Sequence, residues 1–341
     1  MILPFVAEAV VWYGPATVSF PVQFAGDPFD PVRNDVRVRF IGDKNQREER
    51  LAYFDSRLGV WRAILYSNSA GSYRAVLVRN GSEVEVEATE GIIELKRSDV
   101  GVLPAKQTRE NRWSLDTGDD WVGFGSIVSA SSTVRDVNAL ADAGANWLWI
   151  RPPFAPEPSA DWEELMEAVE KRGFYYTIQM RDDATPAWRR YCLARYGTSP
   201  RLVQWDTKTK VEDPWGRGAS SAAPWDTLFE NQRGPFYTTP TDFALVKALK
   251  TTLEVSDWAR WRSARAWKIP GADGVAESDR MILDVSPGAR IVGAPLADGS
   301  YDMTTIDRST GHSASGTAQV SHGAFDFKGA NHAFLVLRRR V

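Results

Sequence analysis

The sequence predicts a multidomain chain that is all-β at both ends and α/β between: an N-terminal β-sandwich over 1–100, a shortened (β/α) barrel-like middle over 113–267 and a small C-terminal β-sandwich over 275–341. Three patterns predict it. Apolar and charged residues alternate from about residue 9 to 97, strand-like runs interleave with amphipathic helical runs from 123 to 205, and short strand-like runs return after 280. At 341 residues the chain is longer than one small core needs, while 43% hydrophobic and 25% charged residues are ordinary for a globular protein.

In the first region Val36, Val38 and Phe40 alternate with Arg37 and Arg39, and Val84 and Val86 alternate with Glu83, Glu85 and Glu87. Asn80-Gly81 joins two such runs, the strongest short hairpin signal in the chain. Short strands separated by Gly, Pro, Asn and Asp make a sandwich.

The rhythm changes after Asp116. Gly123 to Val128 reads as a strand, and Thr133 to Ala143 as a helix with Val134, Val137, Leu140 and Ala141 on one face, stopped by Gly144. Trp147 to Ile150 is a buried strand, Asp161 to Arg172 a helix that buries Trp162, Leu165, Met166 and Val169, and Phe174 to Met180 a further strand. Pro186 suits the first turn of a helix running to Tyr196, and Leu202 to Trp205 completes four βα steps, which imply parallel strands. Residues 208–240 lack periodicity and read as loop, followed by an amphipathic helix over Asp242 to Leu253. Strands resume at Met281 to Val285, Ala289 to Val292, Tyr301 to Ile306, Gly316 to Val320 and Ala333 to Leu337.

Composition excludes several functions. A formal charge of −3 with no block of one sign gives no footprint for nucleic acid or an anionic bilayer. No apolar run approaches the ~20 residues that span a bilayer. The N-terminal segment lacks a basic region and Glu8 interrupts its apolar run, so no secretion signal is read there. Cys192, the lone cysteine, cannot form an intrachain disulfide. His312, His322 and His332 all fall in the tail, so a Ser-His-Asp, Cys-His or HExxH centre in the middle has no histidine to use. Their ten-residue spacing suits successive strands of a small sheet, where a metal site in the tail is conceivable but solvent-facing positions are the favoured reading, and no metal or other cofactor is expected.

Fourteen tryptophans are the compositional anomaly, twelve of them between Trp113 and Trp267. Parallel βα units present their chemistry at the C-terminal ends of the strands. Those ends carry Arg151, then Arg181, Asp182 and Asp183, then Asp206, Lys208 and Lys210. Asp182, Asp183, Asp206 and Glu212 are the candidate acids if the protein cleaves a glycosidic bond, which needs two carboxyls flanking it. The competing reading makes them solvated loop charges or helix caps, with Asp183 just ahead of the Pro186 helix. Trp149, Trp205 and Trp225, with Arg151, are the candidate sugar-binding residues; Trp162, Trp188 and Trp258 lie on apolar helix faces and belong to the core.

These residues resemble a known group. Ala25-Gly-Asp-Pro-Phe-Asp30, Ala52-Tyr-Phe-Asp55, Val60-Trp-Arg62 and Gly71-Ser-Tyr73 resemble the immunoglobulin-like β-sandwich that precedes the barrel in cellulase-like, clan A glycoside hydrolases. Tyr191-Cys-Leu-Ala-Arg-Tyr-Gly-Thr-Ser-Pro-Arg-Leu-Val-Gln-Trp205 resembles the helix and fourth strand of those TIM barrels. Ala223-Pro-Trp-Asp226 and Ala248 to Trp258 resemble their last strand and helix, and Tyr301 through Asp307-Arg-Ser-Thr-Gly311 to Leu337 their C-terminal β domain. The resemblance implies a glycosidase ancestor with an acid/base glutamate after strand four and a nucleophilic glutamate after strand seven. Here Thr209 stands where the family has Asn and Lys210 where it has the acid/base Glu, and an ammonium group cannot play that part. The region is also far shorter than the ~250 residues of a whole barrel, and a last strand at Ala223 to Asp226 leaves no room for strands five to seven.

The expectation is therefore a truncated, noncatalytic glycoside-hydrolase-like protein, a pseudoenzyme that binds a polysaccharide or oligosaccharide or serves as an assembly module. Open sheet edges make homo-oligomer formation a corollary. The alternative is a working hydrolase, retaining or inverting, that uses relocated acids.

Overall fold

The computed structural model describes residues 12–85, 93–97, 104–105, 113–115, 117, 119–153, 159–208, 211, 223–230, 235–238, 242–261 and 263–340. The chain forms two units, 1–104 with 150–221 and 105–149 with 222–341, and the strand Trp147–Arg151 carries it from one to the other.

The first unit opens with two antiparallel sheets. Tyr13–Phe20, Val60–Ser67 and Tyr53–Asp55 form one. Val36–Gly42 lies between Arg47–Leu51 and Gly71–Arg79 in the other. The alternation read from the sequence places Val36, Val38 and Phe40 inward, where they share one core with Val18, Trp61, Ala63 and Leu65 of the opposite sheet. Asn80 and Gly81 both have positive φ in the hairpin turn, a conformation these two residues accept readily.

Against these sheets pack the helices Ala160–Lys171 and Pro186–Tyr196. Tyr191 meets Tyr53 edge-on at 5.6 Å, and Arg190 pairs with Asp35 at 2.8 Å. Ser159 and Thr185 cap the two helices, each hydroxyl accepting from the amide three residues on. The cap ahead of Pro186 is thus Thr185, not Asp183. The strands Tyr175–Gln179 and Leu202–Asp206 pair in parallel, as the βα pattern predicts.

In the second unit Phe124–Ser129 runs parallel to Phe236–Thr238, which runs parallel to the two-residue strand Ala223–Pro224. The strand beside the first is therefore Phe236–Thr238. Ala223 to Asp226, expected as the last strand, is two strand residues leading into a 3₁₀ helix over Trp225–Glu230. Phe236–Thr238 escapes sequence reading because three residues are too few to show a period. Gly125 admits the close approach of this layer, since a Cβ there would lie 1.8 Å from the Trp147 carbonyl oxygen. Thr133 and Asp136 form a capping box on the helix Val134–Asp142.

The rest of this unit is a six-stranded antiparallel sheet in the order Arg265–Ile269, Ala272–Ala276, Arg280–Val285, Ala333–Arg339, Gly299–Asp307, Ser313–Val320. Its first two strands, Trp267 among them, were not assigned from the sequence. Alternation is strict: Ile282, Phe334 and Val336 face the helix Phe243–Ser256 with Trp258 and Trp261, while Met281, Leu283, Leu335 and Leu337 face a second core with Phe325 and Phe327. His312, His322 and His332 are exposed and sit outside the strands, so their spacing records hairpin length rather than strand-face positions.

Candidate functional site

The C-terminal ends of the parallel strands in the first unit carry the predicted polar residues. Gln179 pairs with Asp206 and Thr177 with Gln204, and cross-strand partners share a sheet face. This builds a polar row that leads from a buried Gln204 and Thr177 to the strand ends. Neither Nε2 nor Oε1 of Gln204 has a hydrogen-bond partner among the described residues, although the residue is only 2% exposed. A buried amide of this kind costs free energy until a hydroxyl or water satisfies it. Arg151, half-buried, ends the neighbouring segment of chain.

The acids at these ends are engaged. Asp182 Oδ1 accepts from the Thr207 hydroxyl and the Lys208 amide, both at 3.2 Å, so it stitches the loop after one strand to the loop after the next. Asp183 accepts a two-toothed pair from Arg181, Nε at 2.9 Å and Nη2 at 2.7 Å. These hydrogen bonds hold its carboxyl below the usual range, the opposite of what a general acid needs. Asp206 is half-buried, and its carbonyl accepts from the Met180 amide. Glu212, Thr209 and Lys210 lie outside the described residues.

Two side chains brace these loops: Arg189, which the sequence did not single out, and Trp188, expected in the core and buried there. Arg189 donates to the carbonyls of Arg181, Asp182 and Ala184, and the Trp188 indole donates to the Pro153 carbonyl at 2.9 Å. Pro186 at the helix start was the available signal: it places Trp188 and Arg189 in the first turn, beside the loops that enter it.

The expected sugar-stacking tryptophans do not present open faces. Trp205 is fully buried, Trp149 is 7% exposed and stacks near Tyr237 at 4.7 Å, and Trp225 packs against Phe229 and Phe334. For Trp149 and Trp205 the physical reason is the layer itself: a parallel strand is covered on both faces, so an indole on it becomes core, whereas Trp225 opens a 3₁₀ helix and is taken up by Phe334 and Arg308.

A buried ionic cluster ties together the helices Ala160–Lys171 and Pro186–Tyr196 of the first unit. Glu163 pairs with Arg195 at 3.0 Å and accepts from the Tyr191 hydroxyl, while Glu170 lies 3.9 Å from Arg195. Burial pushes the Glu170 carboxyl up, and Arg195 opposes it. Glu163 and Glu170 fall in line with Met166 at helical spacing along the same face of their helix, and the sequence reading did not single out either acid.

No protein-family model matches the chain, and no curated protein matches it in sequence. Solved structures similar to it include one described as "Glycoside hydrolase", 9% identical over 70% of this chain and 97% of the other with a TM-score of 0.46. A GH30 endoxylanase from Clostridium papyrosolvens C71 is 10% identical over 64% and 96% with a TM-score of 0.31. The type I pullulanase of Bacillus subtilis is 7% identical over 97% and 85% with a TM-score of 0.37. TM-scores this low do not establish a shared fold.

Proposed function

We propose that this chain is a noncatalytic glycoside-hydrolase-like protein, a β-sandwich followed by a shortened barrel and a C-terminal β domain, that binds carbohydrate at the strand ends of its first unit. One observation carries the loss of catalysis: Asp182 is committed to a loop stitch and Asp183 to Arg181, so neither is placed as a proton donor. The barrel's brevity supports it, because the chain passes from Phe124 to Thr238 in less than half of the ~250 residues typical of a barrel. The polar row that ends at Gln179 and Asp206, both partly exposed at the strand ends, supplies donors and acceptors for sugar hydroxyls.

The test is incubation with cellotetraose, xylotetraose, maltotetraose and chitotetraose, followed by affinity and product analysis. At least one should bind without release of reducing ends, and Gln179→Met should weaken it about tenfold, the worth of one well-placed hydrogen bond. Turnover of any of the four, lost in Asp206→Asn, would establish the relocated-acid hydrolase instead. Binding untouched by Gln179→Met would remove this surface as the site.

A further inference from the structure

The second unit contains a groove of about 550 Å³ on its antiparallel sheet, lined by Lys268, Asp273, Asp284, Ser286, Arg308 and His332. Register explains how it arises. Lys268 stands opposite Asp273, Asp273 opposite Asp284, and Asp284 opposite Phe334, so the four occupy one row across four strands on one face. That face is apolar where the helix Phe243–Ser256 covers it, and this row is its polar continuation.

Two aspartates directly opposite one another on neighbouring strands repel, and stability alone does not select such a pair. Asp284 is largely buried, and burial pushes its carboxyl up. The arrangement is held by a guanidinium fixed in advance. Arg308 Nη1 donates to both Asp284 oxygens at 3.0 and 2.9 Å, and its guanidinium lies 4.8 Å from the Trp225 ring centre and 5.5 Å from that of Phe334. The Arg308 backbone is set by the turn Asp307-Arg-Ser-Thr-Gly311. In that turn the Asp307 carboxylate accepts from the Ser309 and Thr310 amides and from Asn331, and the Arg308 amide donates to the His332 carbonyl. Trp225, expected as a sugar platform, is thus a platform for an arginine.

We propose that this groove binds a neutral, hydroxyl-rich ligand, a saccharide. The lining balances two cations, Lys268 and Arg308, against two carboxylates, Asp273 and Asp284. An anion would meet the carboxylates and a cation would meet Lys268 and Arg308, whereas a sugar hydroxyl can donate to a carboxylate while accepting from a neighbouring cation. The volume falls within the range of small-ligand clefts, ~300–1,000 Å³. Preorganisation of Arg308 by its turn and two rings lowers the ordering cost of binding. The site is separate from the strand-end surface and stands or falls independently of it.

The test is amide-resolved NMR titration of the full chain with the four tetrasaccharides named above and, in parallel, with acetate and inorganic phosphate. One tetrasaccharide should shift the Gly271, Ser286 and His332 amides saturably while the anions do not. Asp273→Asn and Lys268→Gln, both at partly exposed positions that leave the Arg308–Asp284 pair intact, should each weaken that binding about tenfold with unchanged thermal unfolding. Gln179→Met should leave these shifts unaltered, which separates the two sites. Shifts produced by the anions alone, no saturable shift with any tetrasaccharide, or equal affinity in Asp273→Asn and Lys268→Gln would each overturn the proposal.

Discussion

Glu163→Gln keeps the shape of the buried cluster and removes one charge. In the native protein the Glu163 and Arg195 side chains are 8% and 7% exposed, paired at 3.0 Å, with the Tyr191 hydroxyl on the other carboxylate oxygen. Breaking a buried pair from one side costs ~3–5 kcal/mol because the remaining charge stays in a poor solvent. Glu170, 3.9 Å from Arg195, retains part of the compensation, so the loss falls at the lower end, about 3 kcal/mol. For a unit of this size that lowers the unfolding temperature by roughly 6–12 °C. The companion is the Glu163→Leu/Arg195→Leu double variant. It should cost about 2 kcal/mol less than the summed single variants, because removing both partners leaves no orphaned guanidinium. Calorimetry and urea unfolding followed by near-UV circular dichroism would measure both. A Glu163→Gln loss below about 1 kcal/mol, or strict additivity in the cycle, would refute the assignment of this pair as the ionic tie between the two helices.

Trp205→Ala should destabilise the first unit by about 3–5 kcal/mol, a core-cavity cost, and a denaturation curve would separate this from a selective loss of ligand affinity. Gly125→Ala places a methyl 1.8 Å from the Trp147 carbonyl oxygen, so the second unit should lose more than about 2 kcal/mol or fail to accumulate as folded protein, as read by calorimetry. Asp307 has its carboxyl lowered to about 2 by the Ser309 and Asn331 hydrogen bonds. Its contribution should be complete above the ordinary carboxyl value and fade as pH falls toward 2, and Asp307→Asn should flatten that part of the acid-unfolding profile of the second unit.

Periodicity located the long elements because both periods report burial directly. The helix Pro186–Tyr196 matches its sequence reading end to end, since proline at the first turn and glycine beyond the last residue mark both limits chemically. The short strands at Ala223–Pro224 and Phe236–Thr238 could not be placed, because their pairing is fixed by distant partners rather than by their own residues. The candidate site divides in the same way. Which acids stand at the strand ends was legible; that Asp182 is spent on Thr207 and Lys208 was not, because hydrogen-bond partners across loops depend on register.

The sequence by itself determined the order of β and α/β segments, the absence of histidine from the middle region and the concentration of indoles there. Only the tertiary structure decided what the indoles and charges do. A residue's type sets what it can bond, but its place on a covered strand turned Trp205 into core, and cross-strand register aligned Lys268, Asp273 and Asp284 while a distant turn delivered Arg308 to them.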